Sequence, residues 1–216
     1  MSAALLLCAS LLLCSCSKGN KFTTSKDGVF VDNKTEIRYI DAPSCYEAIS
    51  VDPDTYGKYG DVVFHRISGA DPLLLLCEES GTVFFAEGTS LPALSEMNIN
   101  DIGVYAEDSV TLPLGTVTDS AAIEKIIGDY LNGERIYYPE RTPVTNLRIK
   151  FADRSLGICY AVVYVEYAED YIIADEDGKE HNYGKKFFYN RFDGTFCVAG
   201  DYFDEYVQSY KSLTDT

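Results

Sequence analysis

Positive charge is scarce in this 216-residue chain: 18 Lys and Arg stand against 34 Asp and Glu, a net charge of -16. Nucleic-acid binding needs a basic footprint, and anionic lipid attracts basic segments, so the balance argues against both. It reads as a solvated acidic surface that keeps the chain soluble. Histidine is rarer still, at His65 and His181 alone, and with no CxxC pair there is no zinc-like spacing. GxSxG, GxGxxG, Walker and HExxH signatures are all missing. Asp175-Glu176-Asp177-Gly178 starts like a calcium loop, but its Gly comes fourth where an EF-hand needs it sixth, with Glu twelfth; it reads as a hairpin tip. No cofactor and no metal is expected, and no residue is nominated as catalytic. Long hydrophobic runs are absent too: Ala3 to Leu13, about 11 residues, falls short of the roughly 20 that cross a bilayer.

That short run is nevertheless the most telling segment. It ends in Leu13-Cys14-Ser15-Cys16 and gives way to Ser, Lys, Thr and Gly, the layout of a signal-peptide core that is removed from the mature protein. Leu at minus three, Ser at minus one and Cys at plus one around Cys16 resemble the lipobox of bacterial lipoproteins. The resemblance implies a diacylglyceryl thioether on Cys16, a palmitate-type acylated mature N-terminus, and residence on the extracytoplasmic face of a bacterial cell membrane. Cys8 and Cys14 each follow Leu where the motif wants a small residue. Met1-Ser2-Ala3-Ala4 lacks the Lys or Arg that opens such signals, which a start codon placed a few residues late explains. Two acyl chains, at about 0.8 kcal/mol per buried methylene, hold a protein at a membrane stably. The expected organisation is therefore signal peptide over 1–15 and flexible tether over 16–26, too polar to pack and reaching at most about 35 Å.

The remaining 200 or so residues suffice for one large or two small domains. From Asp27 to Gly115 the pattern is short strands broken by Gly, Pro, Asp and Asn: Val29 to Val31, Glu36 to Ile40, Val62 to Ile67, Leu73 to Cys77, Val83 to Ala86 and Ile102 to Ala106. Asp32-Asn33 and Ser80-Gly81 sit at hairpin turns, and Asp52-Pro53-Asp54 reads as another turn. Asp119 then offers an N-cap to a helix carrying Ile123, Ile126, Ile127, Tyr130 and Leu131 on one face, stopped by Asn132-Gly133. Strands follow at Leu147 to Phe151, Cys159 to Ile173, Asn182 to Phe192 and Thr195 to Ala199, with a last amphipathic turn at Phe203, Tyr206, Val207 and Tyr210. The fold class expected is α+β: a β-rich region over 27–115, then a domain over 118–216 with a helix on an antiparallel meander and a short C-terminal helix.

Asp177-Gly178 and Asp193-Gly194 favour two-residue type I′ hairpins. Taken literally, they place Asp170 opposite Lys185, Glu169 opposite Lys186 and Cys197 opposite Asn190, keeping the Cys159 and Cys197 thiols about 20 Å apart and unable to pair. Cys45, Cys77, Cys159 and Cys197 read as small apolar residues. The same register puts Ala161, Val163, Val165 and Tyr167 beneath the helix. It turns Tyr160, Tyr164, Tyr189 and Arg191 onto a second, mixed aromatic and charged face. Rings interleaved with polar groups suit a glycan or a protein partner. The expected function is thus a non-catalytic, membrane-anchored binding module, with Tyr160, Tyr164, Tyr189 and Arg191 as its binding residues. The alternative is a glycan-directed envelope hydrolase using a carboxylate pair, or a His65-based site assembled with a thiol.

Overall fold

The computed structural model describes residues 19–25, 27–107, 112–136, 139 and 141–214. Cys16 and the whole signal segment 1–15 lie outside them. In chain order the strands are β1 (Asn20–Thr24), β2 (Phe30–Asp32), β3 (Arg38–Asp41), β4 (Tyr46–Ala48), β5 (Val51–Tyr59), β6 (Val62–Ile67), β7 (Leu75–Cys77), β8 (Val83–Ala86), β9 (Asp101–Ala106) and β10 (Pro113–Val117). Helix α1 (Ser120–Asn132) precedes β11 (Arg135–Ile136), β12 (Thr145–Asp153), β13 (Ile158–Glu166), β14 (Ile172–Ala174), β15 (Glu180–Asn182), β16 (Lys186–Asn190) and β17 (Thr195–Val198); α2 (Asp204–Thr214) ends the described chain. The class is α+β, dominated by strand.

The first seven of these strands apart from β4, together with β8, close a barrel in the order β1-β2-β3-β8-β7-β6-β5, sealed by a parallel β1–β5 pair. Alternation along each strand turns one side chain in two inward, and here the inward ones are rings: Phe22, Tyr39, Tyr56, Phe64 and Phe84, with Leu76. Phe22 stacks on Phe64 at 4.3 Å and Phe64 meets Phe84 edge-on at 5.3 Å, so the interior is packed. Asp32 is fully buried beside them, accepting from Asn20 Nδ2 (2.8 Å), Lys34 N (2.9 Å), Thr35 Oγ1 (3.0 Å) and Tyr56 Oη (3.1 Å). Those bonds offset the cost of taking a carboxyl group out of water.

Two expectations fail here. Residues 20–24 are no part of a tether: although Asn20–Thr24 is polar at four positions of five, its one ring, Phe22, is 5% exposed in the barrel core. Nor is Asp52-Pro53-Asp54 a turn. It lies within β5, where the register against β6 shifts between Val51 and Thr55, the kind of bulge that lets a proline sit in a strand.

The large sheet runs β10-β9-β12-β13-β16-β17-β11, with β4 also paired to β13. The division expected near Gly115 therefore misses the real one. β9 and β10 belong with the C-terminal strands, and one core of buried side chains runs from Ile67, Cys77 and Val83 on the barrel's outside to Ile102, Val104, Leu147, Ile149, Phe151, Tyr164 and Phe188 on the sheet. Helix α1 packs on this same face through Ile123, Ile126 and Tyr130, while Leu131, expected inside, is 38% exposed. Asp119 caps the helix, its Oδ1 accepting from Ala122 N at 2.8 Å. Phe203, fully buried, meets the rings of Tyr164 (5.2 Å) and Phe188 (6.1 Å) just ahead of α2.

The meander is antiparallel as expected, but its register is not the expected one. β14 and β15 turn around the Asp177-Gly178 segment in a five-residue loop, with Asp175 N donating to Lys179 O at 2.9 Å and Gly178 at φ +77°. Chain between β13 and β14 breaks away from the sheet, so Lys186 faces Glu166 and not Glu169, and Val163 faces Tyr189. The second turn is longer too, bringing Cys197 opposite Phe188 in place of Asn190. An odd shift between β13 and β16 exchanges the faces of one strand relative to the other. Consequently Tyr160, Val162 and Tyr164 lie under α1, and Val163 and Val165 lie on the far face with Phe187, Phe196 and Tyr189.

Candidate functional site

The expected cluster of Tyr160, Tyr164, Tyr189 and Arg191 is divided by the sheet. Tyr164 is fully buried and its hydroxyl makes no hydrogen bond among the described residues. Burial raises its pKa far above the ordinary phenol value. Tyr160 belongs to a buried polar knot: its Oη accepts from Asn190 Nδ2 at 2.8 Å and lies 3.5 Å from Tyr130 Oη. Tyr189 is on the opposite face, stacked on Phe196 at 4.5 Å. Arg191 follows β16 in an exposed turn and pairs with Glu107 at 2.6 Å. Two of the four are thus core residues, because the turn lengths that decide parity are not fixed by an Asp-Gly pair alone.

The face that does stay partly open carries Glu47 from β4, Tyr105 from β9, Arg148 and Lys150 from β12, and Tyr189 from β16. These side chains lie over small neighbours. A Cβ on Gly103 would come 2.6 Å from the ring of Tyr105, so that ring rests directly on the β9 backbone. Lys150 Nζ sits 4.9 Å from the Tyr105 ring centroid and 2.8 Å from Glu47 Oε2, while Arg148 Nη2 pairs with Glu47 Oε1. The other half of the face is covered, with Tyr171 and Tyr183 from the β14–β15 hairpin region packing near Phe187.

Between the ends of β4 and β16 the flank of β13 is briefly uncovered, leaving a notch of about 160 Å³ lined by Ser44, Cys45, Arg148, Ala161, Asn190 and Arg191, with Phe192 at its mouth. Arg148 Nε itself is buried out of reach of solvent, without a hydrogen-bond partner among the described residues. Loss of water and the nearby Arg191 charge both lower the guanidinium's pKa. Phe192 is 58% exposed. A second, wider groove of about 460 Å³ at the C-terminal end of α1 is lined by Asp129, Asn132, Glu134, Asn182 and Tyr183. Sequence reasoning named Arg191 but missed Arg148 and Glu47, because only the β4–β13 pairing brings residues 47 and 148 together.

Groups that a hydrolytic reading would use are committed elsewhere. His65 Nδ1 lies 2.9 Å from the Asp52 carbonyl oxygen, whereas the Cys77 thiol is directed at the carbonyls of His65 and Arg66, so the imidazole and the thiol do not pair. Burial pushes the Cys77 thiol up to about 12 and the Cys159 thiol up to about 11, away from thiolate chemistry. Asp153 accepts from Asn98 N and Leu156 N and from the backbone and hydroxyl of Ser155, and Asp101 pairs with Arg154 at 2.6 Å. Among the described residues no group of three His, Cys, Asp or Glu is placed to hold a metal ion. None of their helices is long and apolar enough to cross a membrane. No family model, curated protein or solved structure matches the chain.

Proposed function

We propose that this chain is a lipid-anchored protein of the bacterial extracytoplasmic surface, tethered through Cys16, that binds a surface polymer or partner protein without chemical turnover. The open sheet face supports this reading most. Glu47, Tyr105, Arg148, Lys150 and Tyr189 stand side by side, half-buried, on a rigid antiparallel sheet. Long polar side chains and rings that are already ordered lose little conformational freedom when a ligand settles on them. Such a face offers stacking surface and charged hydrogen-bond donors together, the mixture found in recognition sites. With strand β1 starting at Asn20, four residues beyond Cys16, the folded part would sit within about 15 Å of the anchor point.

Two measurements test it together. Cys16→Ser is expected to abolish fatty-acid labelling and leave the precursor uncleaved, while Cys14→Ser does neither. In the folded chain begun at Ser17, which lacks the acyl anchor, Tyr105→Ala and Lys150→Ala should lower retention on isolated cell envelopes by about tenfold, corresponding to roughly 1.4 kcal/mol. Label persisting in Cys16→Ser would sink the anchor, and unchanged retention in both face variants would sink the binding face.

A further inference from the structure

The notch beside Arg148 has features of a carboxylate receptor. Two guanidinium groups, those of Arg148 and Arg191, line it. The acids near it are already engaged, Glu47 by Arg148 Nη2 and by Lys150 at 2.8 Å, Glu107 by Arg191 at 2.6 Å, and Asp193 by Thr195 N at 2.9 Å and Thr195 Oγ1 at 2.6 Å. A guanidinium carries five N–H donors, so both arginines retain donors for a further oxygen. Arg191 is the more exposed of the two, and Ser44 adds a hydroxyl to the lining. A carboxylate fits this fork geometry better than any neutral group does.

The rest of the ligand follows from the surroundings. A volume of about 160 Å³ is the share of roughly five water molecules, enough for a carboxylate and the near edge of one ring. The ring of Phe192, 58% exposed at the mouth, offers a flat apolar surface for the C–H-rich face of a sugar. A peptide would dock most readily by adding a strand. That route is closed, since β13 is flanked by β4 and β16, and between them Ala161 N already donates to Cys45 O at 2.6 Å. The chain's net charge of -16 repels a densely charged polyanion but tolerates a lone carboxylate.

We infer that the notch formed by Arg148, Arg191, Ser44 and Phe192 binds a sugar acid, a single hexuronate unit presented by an otherwise weakly charged glycan. The inference rests on the binding-module reading above and names the ligand class for the notch at the margin of its open face.

The test titrates the full-length chain in detergent with galacturonate, with galactose as the neutral counterpart and with N-acetylated amino acids as peptide-type carboxylates, followed by calorimetry and by NMR. Galacturonate is expected to bind at least about tenfold more tightly than either comparison ligand, the discrimination one charge-assisted pair can give. Arg191→Met should weaken it about tenfold and, by taking the ion-pair partner from Glu107, lower the melting temperature somewhat while leaving the chain folded at the temperature of the titration, and Phe192→Ala, which breaks no ion pair, should weaken it about fivefold. Arg148→Met should abolish it; because that change loosens Glu47 as Arg191→Met loosens Glu107, Phe192→Ala, with Arg191→Met read only in folded protein, decides. Equal binding of galactose, tighter binding of an N-acetylated amino acid, no binding of galacturonate, or full binding by Arg191→Met would each overturn the assignment. The open-face reading is judged separately: Tyr105→Ala still lowering envelope retention while galacturonate fails to bind leaves that reading standing and removes only the sugar acid.

Discussion

Two tyrosines four residues apart on one strand and one face, Tyr160 and Tyr164, should respond in opposite directions to losing the same oxygen atom. The Tyr164 ring is fully buried against Phe203 and Phe188, and its hydroxyl has no hydrogen-bond partner among the described residues. A hydroxyl taken from water without compensation costs about 1–3 kcal/mol by mutational measures. Tyr164→Phe keeps the ring and removes that cost. It is expected to stabilise the protein by about 1–2 kcal/mol, which for a chain of this size raises the melting temperature by roughly 2–8 °C. Tyr160 is only partly buried, and its Oη accepts from Asn190 Nδ2 at 2.8 Å. Tyr160→Phe deletes that acceptor and should cost about 0.5–1.5 kcal/mol. Urea unfolding of both variants, followed by circular dichroism and fitted with a shared slope, reads the two signs directly. Destabilisation of Tyr164→Phe by 1 kcal/mol or more would mean that its hydroxyl is satisfied, and the assignment of that side chain to a dry core would be wrong.

Three other outcomes follow from the packing and the charges. Gly57→Ala would place a methyl carbon 2.3 Å from the Phe22 ring and 2.8 Å from the Asn20 carbonyl, so it should prise β1 from β5, cost about 1–3 kcal/mol and expose residues 20–24 to limited proteolysis; a wild-type digestion pattern would refute it. Burial alone would raise the Glu166 pKa, but bonds and charges from Lys185 (3.1 Å) and Lys211 (3.4 Å) outweigh it and hold the carboxyl below its ordinary value. A depressed carboxylate stabilises the fold above its unfolded pKa and stops doing so as pH falls through the folded one. Denaturant midpoints should therefore drop more between about pH 5 and pH 3 for the natural chain than for Glu166→Gln, and parallel curves would contradict the pairing. Cys45, Cys77, Cys159 and Cys197 are buried and free, so iodoacetamide should label these four slowly at pH 8 and all of them at once in urea; fast native labelling would show that they are accessible.

Much of the fold can be read from local signals. Val62 to Ile67 and Val83 to Ala86 are strands with the bounds their β-branched and aromatic runs imply, and Asp119 caps α1 as its side chain suggests. Strand β1 is not legible, because NKFTT owes its place to one phenylalanine and to a glycine thirty-odd residues away on β5. Face assignment fails for a sharper reason. An Asp-Gly pair announces a turn but not its length, and the break of the chain between Glu166 and Ile172 changes the β13–β16 pairing by an odd number of residues. Every side chain on one of the two strands then changes side relative to the other, which moves Tyr164 from expected surface to core. The Arg148–Glu47 pair was equally invisible, since residues a hundred positions apart meet only through the tertiary pairing of β4 with β13.

The barrel's closing seam has a mechanical meaning if Cys16 carries the anchor. Any tension between the membrane and whatever the protein holds enters the fold at Asn20, along the axis of β1. That strand is bonded on one side to β2, antiparallel, and on the other to β5, parallel. The ladder bonds lie across the direction of pull, so they are loaded together in shear and do not open one after another from an end. Phe22, stacked on Phe64 at 4.3 Å, would have to leave the aromatic interior in the same event. Resistance to extraction is then a rate set by one concerted barrier, and the strand that looks most like a leash is the one built to take the strain.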